Sequence, residues 1–156
     1  GVAAPFVPRR TSRGVELQAT GEIATDLRVF ASAAWTDARV TEPGASGLAR
    51  DARLPGVPVR ALALQLIRRV SEGALTGLDV GVGISHDAAR TADATGSLTL
   101  PAHTLVSAMG AYGRGPWQLQ VNADNLSDVR AWDADARGAL WPRDGRAVRG
   151  TLRWTF

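Results

Sequence analysis

The 156-residue sequence contains no cysteine, no lysine and only two histidines. The missing cysteines exclude disulfides and thiolate metal sites, and two histidines argue against a histidine-based metal centre. All 18 basic residues are arginines, and they are scattered along the chain among 15 acidic residues for a net charge of +3. A nucleic-acid-binding protein would instead cluster its basic residues on one face. The composition therefore predicts no metal, no cofactor and no nucleic-acid partner.

Long hydrophobic runs are also missing, because no stretch approaches the ~20 apolar residues that a membrane-spanning helix needs. The sequence begins with neither a methionine nor a secretory signal peptide, and we expect it to be a fragment of a longer protein. Its length corresponds to one domain or to a piece of a larger one. The hydrophobic content of 45% is sufficient for a folded chain.

The clearest pattern in the sequence is an alternation of apolar and polar residues with a period of two, which indicates β-strands. In "RGVELQATGEI", the odd-numbered residues from Val15 to Ile23 are apolar or glycine and the even-numbered ones are polar. The segment "LRVFASAAWTDARV" repeats the alternation after the short break "ATD". The two segments predict an antiparallel hairpin.

Alternation predicts four further strands, in "LDVGVGIS", "HTLVSAMGAY", "WQLQVNADNL" and "AVRGTLRWTF". Residues 58–70, "PVRALALQLIRRV", are ambiguous. A strand would place Leu62, Leu64 and Leu66 on one face, whereas a helix would place Leu62, Leu66 and Val70 together. Helix propensity favours the helix, and the neighbouring strands favour a strand.

The connections between these strands are alternately short and long. The short ones are "ATD", "SEGALTG" and "RGP", and the long polar ones cover about 37–57, 86–102 and 127–146. Strands of about ten residues span a bilayer when tilted. Short periplasmic turns and long extracellular loops are typical of bacterial outer-membrane barrels. The sequence therefore predicts an all-β, antiparallel up-and-down meander of about seven strands, belonging to a larger transmembrane barrel.

The two faces of these strands suit two different solvents. The polar faces would be costly in a dry core unless every group were paired, so we expect them to line a water-filled lumen while the apolar faces contact lipid. Trp35, Tyr112, Trp117 and Trp154 lie near predicted strand ends. That position is typical of the aromatic girdles of membrane barrels.

Six stretches, in order, resemble landmarks in the last third of TonB-dependent outer-membrane receptors, especially the ferric-siderophore type. They are "SRGVELQATGEI", "AWTDARVTE", "RLPGVPVRALAL", "LPAHTLVSAMGAY", "WQLQVNADNLSDVR" and "VRGTLRWTF". The resemblance covers about Ser12 to Phe156. Two of its departures are His103, where the family often has tyrosine, and Ser107, where aspartate is frequent.

The resemblance implies that residues 1–156 are the C-terminal portion of a barrel of about 22 strands, without its plug domain and N-terminal strands. It implies a receptor, not an enzyme, that imports ferric siderophores or a similar scarce nutrient by active transport. An inner-membrane TonB complex would act through the missing N-terminal region. Leu152, Trp154 and Phe156 would form the signal that the barrel assembly machinery reads, and their side would face outer-membrane lipid.

Arginine and aromatic residues in the long loops are candidates for facing an anionic ferric siderophore. These candidates are Arg50, Arg53, His86, Arg90, Trp132, Arg137 and Trp141. A soluble β-sandwich or barrel that binds a ligand is the alternative, since its strands would also alternate. A hydrolase built on His86 or His103 is disfavoured, because the sequence has no G-x-S-x-G turn.

Overall fold

The computed structural model describes residues 9–43, 49–93, 95–134 and 139–156. Within these ranges, no helix has the length and apolar character needed to cross a membrane. The strands are β1 (Arg9–Ala24), β2 (Leu27–Glu42), β3 (Arg60–Arg69), β4 (Leu78–Asp87), β5 (Arg90–Thr91), β6 (Thr99–Leu100), β7 (His103–Arg114), β8 (Trp117–Asp124), β9 (Trp132–Ala134), β10 (Leu140–Pro142) and β11 (Ala147–Trp154).

Seven of the strands form one antiparallel sheet in the order β1-β2-β3-β4-β7-β8-β11. Neighbours in the sheet are also consecutive along the chain, apart from two small hairpins, β5–β6 and β9–β10, which lie within the long connections. We call these connections loop 1 (43–59), loop 2 (88–102) and loop 3 (125–146). The predicted meander of about seven strands is confirmed.

Several predicted boundaries were wrong. β2 continues to Glu42, beyond the loop start predicted at residue 37, because it stays paired with β1 as far as Arg9. Loop 1 forms backbone hydrogen bonds with the last residues of β2: the amides of Val40 and Leu54 donate to the carbonyl oxygens of Ala52 and Ala38. The strands of the main sheet therefore range from 8 to 16 residues instead of about ten.

The ambiguous segment 58–70 forms the strand β3 and no helix. It pairs with β2 on one side, where Ala31 lies opposite Leu64, and with β4 on the other, where Leu64 lies opposite Ile84. Backbone hydrogen bonds to both neighbours outweigh the helix propensity of its leucines, which amounts to a few tenths of a kcal/mol per residue, roughly.

The register places most apolar residues of the seven strands on the same side of the sheet, whereas Phe30, Ile67, Leu105 and Met109 lie on the other. One row runs from Gly21 through Val29, Leu66, Val82 and Ala108, and continues across the remaining strands. We call this side the apolar face. It is not covered by any other part of the described chain, and Leu17, Val82 and Leu152 are 59%, 59% and 63% exposed. A face of this composition is suited to hydrocarbon.

The opposite side of the sheet is the polar face. It carries amides, hydroxyls and ion pairs, including Arg149 with Asp124 at 2.6 Å and Arg28 with Asp79 at 3.8 Å. Most of these groups remain accessible to water and do not incur the cost of burial in a dry core; Asp79 Oδ1 is buried, and Arg69 Nε lies 3.9 Å from it.

Packing is concentrated at the end of the sheet where the long loops lie. Apart from Gly81 in the middle of β4, the buried residues among those described are Ala38, Val40, Arg90, Ala92, Leu100, His103, Asn125 and Ala131. All of them belong to the loops or to the adjoining strand ends. The rest of the seven-stranded sheet is a single layer without a core of its own, and the loop end is the packed part of the described chain.

Aromatic residues mark both limits of the apolar face. At the turn end, the indoles of Trp117 and Trp154 stack with ring centroids 5.4 Å apart, and Phe156 meets Trp154 edge-on at 6.3 Å. Trp35 lies at the loop end of the face, opposite Arg60. It is seven residues before the end of β2 instead of near its terminus, because β2 extends beyond the apolar region.

Three glycines of the polar face, Gly14, Gly81 and Gly83, each have a neighbouring atom within 3.0 Å of where a Cβ would lie. A Cβ at Gly81 would lie 2.9 Å from Met109 Cγ, 3.2 Å from Ile67 Cγ1 and 3.2 Å from the carbonyl oxygen of Leu66. Met109 and Ile67 therefore cover the backbone of β4 from its two neighbouring strands.

We predict that Gly81→Ala lowers the free energy of unfolding by about 1–3 kcal/mol, because it overpacks this contact. Gly110→Ala is the matched control, since a Cβ there meets nothing within 4 Å; we expect it to be neutral or slightly stabilising. Urea unfolding of the detergent-solubilised protein measures both. Equal midpoints for the two variants would contradict the prediction.

Candidate functional site

The polar face and loop 3 border an open cavity of about 980 Å³, which extends from the middle of the sheet to the base of loop 3. Residues from all seven strands of the main sheet contribute to its wall, and loop 3 folds inward to complete it. The principal polar lining residues are Gln18, Ser32, Gln65, Ser85, Ser107, Asp124, Arg143 and Arg149. The cavity is large enough for a small-molecule ligand, and the hydroxyls and amides on its wall can form hydrogen bonds with one.

A chain of ion pairs joins loop 2 to loop 3 above this cavity. Arg90 donates to Asp133 Oδ1 at 2.7 Å and to the carbonyl oxygen of Trp132 at 3.0 Å. Asp133 Oδ2 lies 3.3 Å from Arg143 Nε, and Arg143 Nη1 lies 3.6 Å from Asp87 Oδ2. The side chain of Arg90 is only 4% exposed, and its Nη1 has no hydrogen-bond partner among the described residues. Removing Asp133 would leave this arginine buried without its counter-ion, which is a costly state.

His103 extends this chain at the start of β7. Arg143 Nη1 lies 2.8 Å from His103 Nε2, and because arginine can only donate, Nε2 is the acceptor and the ring is neutral. Burial lowers the pKa of His103 below its usual value; Arg143 and Arg90 act in the same direction, while Asp87 and a hydrogen bond with Pro101 oppose them. The neutral ring therefore allows Arg143 to remain in place.

Asn125 and Asp128 hold the two ends of loop 3 together. The Asn125 amide donates to the carbonyl oxygens of Val129 at 2.9 Å and Asp144 at 3.3 Å, and its oxygen accepts from the Val129 amide at 2.9 Å. Asp128 Oδ1 accepts from the backbone amide of Arg146 at 3.0 Å. Both residues have positive φ, 49° and 52°, which asparagine and aspartate tolerate better than most residues. The stretch "NLSD" thus has a structural role at the rim.

Of the seven predicted ligand-facing residues, two tryptophans are exposed on the β9–β10 hairpin of loop 3. Trp132 is 42% and Trp141 45% exposed, and neither lines the cavity. Trp141 lies opposite Asp133 and shares its face of the hairpin, whereas Trp132 lies opposite Pro142 on the other face. Arg50 is exposed in loop 1.

The remaining predicted residues are placed differently. His86 is in phase with Ile84 and lies on the apolar face, where its Nδ1 is 2.9 Å from Thr104 Oγ1. Arg53 forms a backbone β-bridge with Arg39, which places its side chain on the same side of the sheet as the apolar face. Arg90 is buried in the ion-pair chain. These three positions argue against direct contact with a ligand in the cavity. Arg137 lies outside the described residues.

Arg143 is the site residue that the sequence reasoning did not identify. It lines the cavity and connects His103, Asp87 and Asp133, which lie 40, 56 and 10 positions away in the sequence. Its immediate context, "WPRDG", is an ordinary loop sequence, and no signal in a single sequence indicates such long-range contacts.

Acidification should weaken the contact between loops 2 and 3 through His103. The unfolded chain takes up a proton near the ordinary histidine pKa, 6.5, whereas the folded chain does so only at lower pH. The free energy of opening therefore falls as the pH drops through 6.5. We predict faster amide exchange in residues 131–134 at pH 5.5 than at pH 7.5, after correction for intrinsic rates.

His103→Gln should remove most of this pH dependence, and His86→Gln, on the opposite face, should retain it. Exchange rates in residues 131–134 that do not change with pH in the unaltered protein would disprove the role of His103.

Comparison with known proteins supports the same fold. A family model described as "TonB dependent receptor-like, beta-barrel" matches residues 4–126. The metal-pseudopaline receptor CntO of Pseudomonas aeruginosa is 33% identical over 147 residues, covering 93% of this chain and 20% of that protein. The ferrioxamine B receptor of Salmonella typhimurium is 29% identical over 151 residues, covering 93% and 21%.

Among solved structures, the ferric yersiniabactin uptake receptor FyuA from Yersinia pestis superposes with a TM-score of 0.80 at 18% identity, covering 96% of this chain and 24% of that one. At this identity, the likeness concerns the fold. The chain spans about a fifth of the length of the curated relatives that it matches. The uninterrupted meander and the match over residues 4–126 agree, and the chain belongs to the TonB-dependent receptor-like β-barrel family of Gram-negative outer membranes.

Proposed function

We propose that the chain is the C-terminal portion of a barrel of about 22 strands that imports a chelated metal, a ferric siderophore or a similar scarce nutrient. The plug domain and earlier strands would lie outside residues 1–156. A TonB complex would supply energy through that preceding region. The observation that supports this most directly is the cavity on the polar face, with loops 2 and 3 joined above it by Arg90 and Asp133.

The relatives support the class of cargo. The names of CntO and of the Salmonella receptor specify metal-pseudopaline and ferrioxamine B. A receptor for a chelated metal would recognise the surface of the chelate and would need no metal ligands of its own.

Charge on the cavity wall of this segment is largely neutralised in pairs. Arg149 is matched by Asp124, and Arg143 by Asp87 and Asp133. We therefore assign ligand contact mainly to the exposed indole of Trp141, which shares the hairpin face of Asp133. A flat aromatic ring gains contact area with little loss of conformational entropy, and it suits the apolar and cationic parts of a chelate.

We predict that the intact receptor carrying this segment binds at least one of a panel of ferric hydroxamate, catecholate and hydroxycarboxylate chelates. Trp141→Ala should raise the Kd about fivefold, the effect of losing one good aromatic contact, and Trp141→Phe should restore most of the affinity. Fluorescence quenching on the purified receptor measures Kd, and uptake of labelled iron by energised cells tests transport.

Trp117→Ala is the control, because Trp117 lies on the apolar face at the opposite end of the sheet; we expect its Kd to be unchanged. Failure of the intact receptor to bind any chelate in the panel would refute the import proposal. An unaltered Kd in Trp141→Ala would refute only the role of that tryptophan.

The C-terminal strand supports a second part of the proposal, which concerns assembly. Leu152 and Trp154 lie on the apolar face, and Phe156 follows with its ring fully exposed beyond the stacked indoles. We infer that these three residues form the signal for the barrel assembly machinery and afterwards contact outer-membrane lipid.

Deleting Phe156 from the intact receptor should lower its amount in the outer membrane severalfold, because the signal would lose its terminal aromatic ring. Phe156→Tyr keeps the ring and should assemble normally. Quantitative immunoblots of outer-membrane fractions measure both, and undiminished assembly of the deletion variant would show that the ring is dispensable.

A further inference from the structure

Four arginines meet on the outward side of the sheet, just beyond the loop end of the apolar face. In the backbone ladders, Arg13 on β1 lies opposite Asp37 on β2, and Arg60 on β3 lies opposite Trp35. Arg53 of loop 1 forms an isolated antiparallel β-bridge with Arg39. Residues paired across neighbouring antiparallel strands share a face, with Cα atoms about 4.5–5.5 Å apart. We call Arg13, Arg39, Arg53 and Arg60 the arginine patch.

The positive charge of the patch is only partly neutralised. Arg39 Nε lies 2.9 Å from both carboxylate oxygens of Asp37, whose charge also attracts Arg13 and Arg53 at longer range, and the charge of Asp51 acts on Arg39. Within the described ranges, Arg13, Arg53 and Arg60 have no carboxylate within ion-pair distance. Three guanidinium groups are thus available to an external anion.

The position of the patch identifies the source of that anion. On the same side of the sheet, next to the patch in the direction of the short turns, lie the apolar residues Val15, which is 59% exposed, and Leu62, which is 43% exposed. Trp35 on β2 lies between their strands. The patch therefore lies where the hydrocarbon region ends and lipid headgroups begin. Arginine binds phosphate through two parallel hydrogen bonds and can extend along an apolar surface to reach it.

We propose that the arginine patch binds the phosphate groups of anionic lipid headgroups in the adjacent leaflet and so fixes the loop end of β1–β3 at the membrane surface. This site lies on the opposite side of the sheet from the cavity. It depends on the membrane location of the chain and is independent of which chelate the receptor imports.

Short-chain dihexanoyl phosphatidic acid, added to the intact receptor in a neutral detergent, is the probe. We expect it to bind more tightly than dihexanoyl phosphatidylcholine or inorganic phosphate. Each of Arg13→Gln, Arg53→Gln and Arg60→Gln should raise its Kd about fivefold, and the triple variant about 100-fold. Arg153→Gln, which removes the same charge from the polar face, should change the Kd less than about twofold because of its distance from the patch.

Native mass spectrometry counts the bound lipids, and the heat-dependent mobility of the barrel in gels checks that each variant is folded. If the triple variant does not assemble, the single variants decide the question. Unchanged affinity in the arginine variants would overturn the proposal. Equal binding of phosphatidylcholine, or full competition by inorganic phosphate at equal concentration, would also overturn it. Loss of lipid binding with normal chelate uptake would support it while leaving the import proposal intact.

Discussion

The two-residue period of the β-strand is the constraint on which this structure depends. Because side chains alternate between faces, a slip of one residue in any ladder would transfer a whole strand's apolar set to the polar side. The six ladders of the main sheet keep the apolar sets in phase, and the register shifts occur only at the ends of the β1–β2 pair, at Arg9/Arg10 and Glu22/Ala24. A single layer can therefore separate lipid from a polar cavity without a core between them.

The absence of a core in the spanning region changes what the loops must do. In a soluble sandwich, a second sheet would cover one face and provide the packing. Here packing is found at the loop end, where Arg90, Asp133 and Arg143 join loops that are distant in sequence. Buried ion pairs of this kind add little net stability, but breaking one is expensive. The ion-pair chain thus favours one arrangement of loops 2 and 3 over the cavity.

The sequence was sufficient to predict the parts of the fold that local chemistry determines. Alternation identified the strands, because lipid and water impose it on every spanning segment. It left β3 undecided, since "RALALQLIRR" fits two periods and only its pairing with β2 and β4 resolves them. The extension of β2 was missed because it depends on contacts of Ala38 and Val40 with loop 1.

The cavity was harder to predict than the strands. The two-residue alternation alone could have placed His86 on the apolar face, since it lies two and four residues after Ile84 and Val82. The contacts of Arg143 could not have been found, because they join residues up to 56 positions apart and leave no local pattern.

The arginines show how the same parity rule converts a scattered composition into an organised surface. Along β3, Arg60 and Arg68 have the same parity as Leu62, Leu64 and Leu66, so they end the apolar run at both sides. They are eight residues apart, about 26 Å along the strand, which at a strand tilt of about 35–45° is roughly 20 Å of the apolar band of about 25 Å in outer-membrane barrels. Between them the outward side of β3 carries no charge. Arginines dispersed in the sequence thus mark the height of the hydrocarbon region, and at its loop end three strands gather them into a surface that phosphate can bind.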